Sequence, residues 1–101
     1  MKRMVRYKVK ADRVEENERY IRQVYEELQK LAPPGLRYAT FRLADGLSFM
    51  HIVTHDSEEH RQALLTLPAF KAFAAGVGER CEEPAVTVEL TEIGSYGFFE
   101  S

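Results

Sequence analysis

RLADGLSFMHIVTH, residues 42–55, holds a turn followed by a strand that does not alternate. Asp45-Gly46 is a hairpin signal, because glycine supplies the positive φ that tight hairpin turns need. In the strand Leu47 to Thr54, Leu47, Phe49, His51 and Val53 share one face; Ser48, Met50, Ile52 and Thr54 share the other. Both faces are largely apolar. Helices in so short a chain cover only one of them, so the second face calls for another cover.

Working outward, Leu36 to Leu43 reads as the preceding strand. A two-residue turn sets Ala44 opposite Leu47, and the pairing then runs Arg42 to Phe49, Phe41 to Met50, Thr40 to His51, Ala39 to Ile52 and Tyr38 to Val53. The expectation is that Phe41, Ala39, Met50 and Ile52 lie under helices. The open face then carries Arg42, Phe49, Thr40, His51, Tyr38 and Val53, extended by Arg6 and Lys8 on one side and Thr87, Glu89 and Thr91 on the other. A one-residue slip would reverse every side chain.

The remaining elements follow from periodicity. Met4 to Lys10 alternates, with Val5, Tyr7 and Val9 on the apolar side. A helix is expected from Asp12, with Glu15 completing a capping box and Val14, Ile21, Val24, Tyr25, Leu28 and Leu31 forming its inner stripe. Pro33-Pro34-Gly35 stops it. Ser57, followed by Glu58 and Glu59, caps a short helix, and Pro68 opens a second helical piece with Ala69, Phe70, Phe73 and Val77 on its buried face. Val86, Val88 and Leu90 mark a last strand, and the tail GSYGFF follows. The order strand, helix, strand, strand, helix, strand predicts an α+β, ferredoxin-like βαββαβ domain over residues 1–101. It has an antiparallel four-stranded sheet with the helices on one face.

Composition narrows the function classes. The 101 residues suit one domain, and the 45% hydrophobic fraction excludes a disordered chain. No apolar run reaches the roughly 18–20 residues of a membrane span. MKRMVRYKVK has no apolar core of a secretory signal, and the single Cys81 fits a reducing compartment, so a cytoplasmic location is expected. Residues 1–42 carry 11 Lys and Arg against 6 Asp and Glu, and the remainder 3 against 10. The basic half is spread along a strand and a helix without aromatic platforms, so no nucleic-acid partner is expected. His51 and His55 lie about 13 Å apart along one strand, too far to share a metal ion.

This organisation resembles the antibiotic biosynthesis monooxygenase-type dimeric α+β barrel domains. The resemblance rests on the strand and helix order, the LPAF stretch at Leu67 to Phe70 followed by Phe73, and a last strand ending in aromatics. It covers nearly the whole chain. It implies a homodimer whose two sheets enclose a barrel. In enzymatic members, it further implies a pocket between the sheet and the helices for a polycyclic aromatic or quinol-like substrate, oxidised by O2 with neither metal nor flavin. On that footing His51 is the candidate base, Tyr38 the group that orients a phenol, and Arg42 the stabiliser of the resulting anion. Phe49, Thr40, Phe70 and Phe73 are the candidate substrate contacts. Structural roles compete with each: His51 bonded to Thr40 or to a residue across the sheet interface, Arg42 paired with Glu89 or across the dimer, Tyr38 packed with its hydroxyl satisfied. A non-catalytic binding or stress-associated barrel is the alternative. The chain has no tryptophan, which several aromatic-polyketide oxygenases and the haem-degrading relatives place in their sites, so neither site carries over directly and haem degradation is not expected. Tyr96, Phe98 and Phe99 are expected to pack across the dimer or close one end of the pocket.

Overall fold

The computed structural model describes residues 1–98; Phe99, assigned above to the aromatic tail, lies outside them. The elements are β1 (Lys2–Val9), α1 (Val14–Leu31), β2 (Leu36–Arg42), β3 (Ser48–His55), α2 (Glu58–Leu65), α3 (Pro68–Arg80) and β4 (Cys81–Leu90). The sheet order is β2-β3-β1-β4, and every neighbouring pair is antiparallel. This is the ferredoxin-like arrangement, with the second helix of the expected pattern divided in two at Pro68.

The β2–β3 pairing matches the expected register, from Tyr38 opposite Val53 to Arg42 opposite Phe49. The loop is longer than two residues, because the Leu43 N–H bonds the Ser48 carbonyl at 2.8 Å and leaves residues 44–47 to turn the chain. Two additional residues preserve parity, so the pairing survives. Asp45 organises the loop by accepting from the Leu47 and Ser48 amides at 2.9 and 2.8 Å and from the Ser48 hydroxyl at 2.6 Å. Those bonds, the Ser48 hydroxyl foremost, pull the Asp45 carboxyl down to about 2.

The face assignment is reversed for β2, β3 and β4, while Arg6 and Lys8 of β1 lie on the open side as expected. β1 decides it, because β1 is interior to the sheet and has one apolar face. Val5 lies opposite His51 and Tyr7 opposite Phe49, so the Val5, Tyr7 and Val9 side takes Phe49, His51 and Val53 with it. Tyr7, Val9 and Phe49 are buried against Ile21 and Val24 of α1, Leu64 of α2, and Ala69 and Phe73 of α3. Arg6 and Lys8 lie across from Met50 and Ser48, on the side away from the helices. Met4, Phe41, Met50, Ile52, Val86 and Val88 share that open side. The earlier inference that one apolar face lacks cover holds, with a different set of residues on it.

The start of α1 also differs. Residues Ala11–Arg13 form a 3-10 turn, and neither that turn nor α1 has a side-chain cap, so Asp12 and Glu15 do not form the capping box. Arg13 and Glu16 form a bidentate pair there instead, at 2.7 and 3.0 Å. Ala32 closes α1 in the left-handed region, its N–H on the Leu28 carbonyl, immediately before the prolines. Ser57 caps α2 as expected, by accepting from the His60 amide at 3.3 Å.

Gly35 and Gly46 both hold positive φ, at 73° and 75°. A Cβ at Gly35 would collide with the His60 ring, whereas one at Gly46 meets nothing within 4 Å. Gly46→Ala is expected to cost about 1–2 kcal/mol from backbone strain alone. Gly35→Ala should cost more, because the ring must also move. Urea denaturation of the two variants checks this; equal losses would contradict the His60 contact.

Candidate functional site

His51 is the middle of the site. It stands on the helix side of β3, 4% exposed, with the Tyr7, Tyr38 and Phe73 rings at centroid distances of 5.3, 5.7 and 5.4 Å. A polar ring so enclosed needs partners for both nitrogens. Its Nε2 meets the Tyr7 hydroxyl at 2.8 Å, and its Nδ1 meets the hydroxyls of Tyr38 at 2.7 Å and Thr40 at 3.0 Å. The structural role expected for His51, a bond to Thr40, is therefore present together with two more.

The direction of these bonds follows from one residue that cannot accept. Arg80, 1% exposed, donates from Nε to Asn17 Oδ1 at 2.9 Å and from Nη2 to the Phe73 carbonyl at 3.1 Å. A guanidinium is a donor only. Asn17 must thus present its oxygen to Arg80 and its amide hydrogens to Tyr7, whose oxygen accepts at 3.0 Å. The Tyr7 proton then points at His51 Nε2, which fixes the neutral tautomer with hydrogen on Nδ1. That hydrogen is given to the Tyr38 and Thr40 oxygens.

From the other side, the Tyr25 and Thr40 hydroxyls lie 2.7 Å apart, and either can donate to the other. With the His51 Nδ1 hydrogen on its oxygen, the Tyr38 hydroxyl keeps its own proton without a further acceptor among the described residues.

Burial governs the charge state. It pushes the Tyr7 and Tyr38 hydroxyls well above the usual tyrosine range and Tyr25 up to about 12, and it pulls His51 down to about 4. All four are neutral at neutral pH. The fixed positive charge of Arg80 is held without an ion pair among the described residues. The Tyr20 and Phe73 rings face it, with its Cζ 4.5 and 5.5 Å from their centroids.

Beside this network lies a cavity of about 260 Å³ between the sheet and α2–α3. Its aromatic end is built by Tyr7, Tyr38, His51, Phe70 and Phe73; Val5, Val53, Leu64 and Val77 continue the wall. Pockets for drug-sized ligands usually fall at ~300–1,000 Å³, so this one suits a compound of one or two rings. Tyr38, His51, Phe70 and Phe73, expected from the sequence, come together here. Three other expected residues do not. Phe49 is sealed in the core, stacked on Tyr7 with centroids 5.7 Å apart. Thr40 stands behind the wall as a partner of His51 and Tyr25. Arg42 lies at the surface and pairs with Glu18 of α1 at 3.2 Å, not with Glu89, so it does not reach the cavity. Among the described residues, no group of three or more His, Cys, Asp or Glu could hold a metal ion, and no helix is long and apolar enough to cross a membrane.

Asn17 and Arg80 were not anticipated. Asn17 had a visible signal, being a polar residue between Val14 and Ile21 on the inner stripe of α1. Arg80 had none, because a basic residue at a helix end ordinarily faces solvent.

The architecture is the ferredoxin-like α+β fold of the antibiotic biosynthesis monooxygenase-type structures. A candidate antibiotic biosynthesis monooxygenase from Nitrosomonas europaea is 20% identical, with 91% of this chain and 88% of that one covered at a TM-score of 0.75. A second, from Bacteroides thetaiotaomicron, is 18% identical over 92% and 89% of the two chains, at a TM-score of 0.79. SnoaB, a cofactor-independent oxygenase from Streptomyces nogalater, is 16% identical over 95% of each chain, at a TM-score of 0.69. Identities this low show a shared fold. No protein-family model and no curated protein matches the sequence.

The depressed His51 sets a pH dependence. Its folded value of about 4 lies below the ordinary 6.5, so the unfolded chain binds the proton more readily. The stability arising from neutral His51 is complete above pH 6.5 and lost as pH falls toward 4. The loss should approach about 3 kcal/mol. Urea titrations of wild type and His51→Gln should show the wild-type advantage shrinking by this amount from pH 7 to pH 4. A constant difference would contradict a buried neutral ring.

Proposed function

We propose that the cavity binds a one- or two-ring phenol, with the phenolic oxygen accepting the Tyr38 proton, and that the bound phenol is oxidised by O2. The observation that carries this reading is the unused Tyr38 proton beside an aromatic-walled cavity. His51 acts here as the donor that holds the Tyr38 oxygen, because a ring near pH 4 is too weak a base to ionise a phenol. Tyr38 in turn stabilises the phenolate by a hydrogen bond beside a largely apolar wall. Phe70 and Phe73, with centroids 6.1 Å apart, form the apolar wall for the substrate ring.

The chemistry needs no other electron source. A phenol that binds as its anion, its proton left in solvent, adds O2 at a free ortho or para C–H carbon. The hydroperoxide then loses hydroxide, which takes up that proton as water, and leaves a quinone. Four electrons pass from substrate to O2; one oxygen atom ends in the new carbonyl and the other in water. The shared fold with SnoaB, a cofactor-independent oxygenase, supports this reading. 1-Naphthol, which yields 1,4-naphthoquinone, is a suitable probe. The expected result is one O2 consumed per quinone formed, above the protein-free rate. Tyr38→Phe should weaken 1-naphthol binding by about 1–1.5 kcal/mol, roughly tenfold, through loss of one hydrogen bond. A second reading, ligand binding without turnover, is favoured by the occupation of both His51 nitrogens by protein hydroxyls. Saturable binding with no oxygen uptake selects it.

The same proposal includes a cytoplasmic homodimer formed through the open sheet face. Phe41, Val86 and Val88 are 45%, 59% and 42% exposed there, beside Met4, Met50 and Ile52. A two-fold partner presenting the same face would cover them. Tyr96 and Phe98, 94% and 76% exposed, would gain cover from the same partner. Light scattering should give twice the 11.6 kDa chain mass, and Val86→Glu should return it to one chain. A wild-type mass of one chain would contradict the dimer.

A further inference from the structure

We infer that the ligand is an aromatic acid, whose carboxylate sits at the basic end of the cavity while its hydroxyl meets Tyr38. The inference rests on the proposed use of this cavity and adds a substrate class to it. The cavity is not uniform. Opposite the aromatic end, its lining is Arg3 from β1, His55 from β3 and Arg61 from α2. Two guanidinium groups from separate elements thus border a largely apolar space.

The counter-charges at this end leave one cation unused. Arg61 pairs with Glu58 at 3.0 Å, near the solvent. Arg3 makes no ion pair among the described residues, although Glu89 stands across from it in the β1–β4 register. His55 is 6% exposed, and its Nε2 is buried without a hydrogen-bond partner. A buried imidazole nitrogen without a partner is costly unless something polar meets it, and the half-buried Arg3 supplies a positive charge at the same end of the cavity. A planar carboxylate fits, because it accepts two parallel bonds from one guanidinium.

Register places the two ends at a single-ligand separation. Val53 lies between Arg3 on β1 and Tyr38 on β2 in one rung of the sheet. Two strand spacings put their backbones about 10 Å apart, on the same side. One aromatic ring with a carboxylate and a hydroxyl at opposite ends bridges that span once the two side chains reach inward. The cavity of about 260 Å³ has room for such a molecule.

The test uses 4-hydroxybenzoate and 4-hydroxybenzamide, a pair matched in shape and differing in charge, titrated calorimetrically into the full chain at low salt. The carboxylate should bind at least about tenfold more tightly than the amide, and added salt should narrow the gap. Arg3→Gln should bring the two affinities together, while Arg3→Lys should keep a preference. Tyr38→Phe should weaken both probes alike. Circular dichroism confirms that each variant is folded. Equal affinities in the wild type would overturn the carboxylate assignment and leave the cavity as a ligand site. A preference that survives Arg3→Gln and Arg61→Gln would overturn it too. Binding of neither probe would overturn both the assignment and the cavity reading.

Discussion

A histidine ring closed off from water, in the middle of a central strand, must have both nitrogens satisfied. Much of the site follows from meeting that demand at His51. Tyr7 arrives from one neighbouring strand, and Tyr38 and Thr40 from the other. Asn17 and Arg80 then fix which way the protons run, because the guanidinium only donates. The network is satisfied within the protein, except for one hydroxyl proton. Structure and ligand recognition meet at that proton, on Tyr38.

The same arrangement explains how a strand with two apolar faces is accommodated. The helices take the side that carries His51, since the alternation of β1 leaves it no other apolar side to bury. Hydroxyls around His51 make that choice tolerable for a polar ring. The other side leaves Phe41, Val86 and Val88 exposed beside half-buried Met50 and Ile52 in the single chain, and this is the surface proposed to meet a second copy. One strand thereby serves both the pocket and the interface.

Much of the fold was legible in the sequence. Alternation in β1, the turn at Asp45-Gly46 and the start signals at Ser57 and Pro68 sufficed for element order and for the β2–β3 register. The orientation of the sheet was harder, because β2 and β3 are apolar on both sides and hydrophobicity there carries no direction. The pattern in β1 held the answer, once Val5 and Tyr7 are paired with His51 and Phe49. At the site, Tyr38, His51, Phe70 and Phe73 were legible as aromatic or titratable residues on adjoining elements. Arg42 was misplaced because β2 directs it past the cavity to Glu18. Arg80 was hidden, since its burial depends on Asn17, Tyr20 and Phe73, which only the tertiary structure brings to it. The resemblance to the monooxygenase-type domains anticipated the pocket between sheet and helices where the residue pattern alone pointed to the opposite face.

The central claim is that the cavity beside Tyr38 and His51 is where a small phenol binds. A crystal structure of the protein grown with saturating 4-hydroxybenzoate tests it most directly. The account predicts ring density between Tyr38, Phe70 and Phe73, with the phenolic oxygen within hydrogen-bond distance of the Tyr38 hydroxyl. An empty or side-chain-filled cavity, with the probe bound elsewhere on the surface, would contradict it.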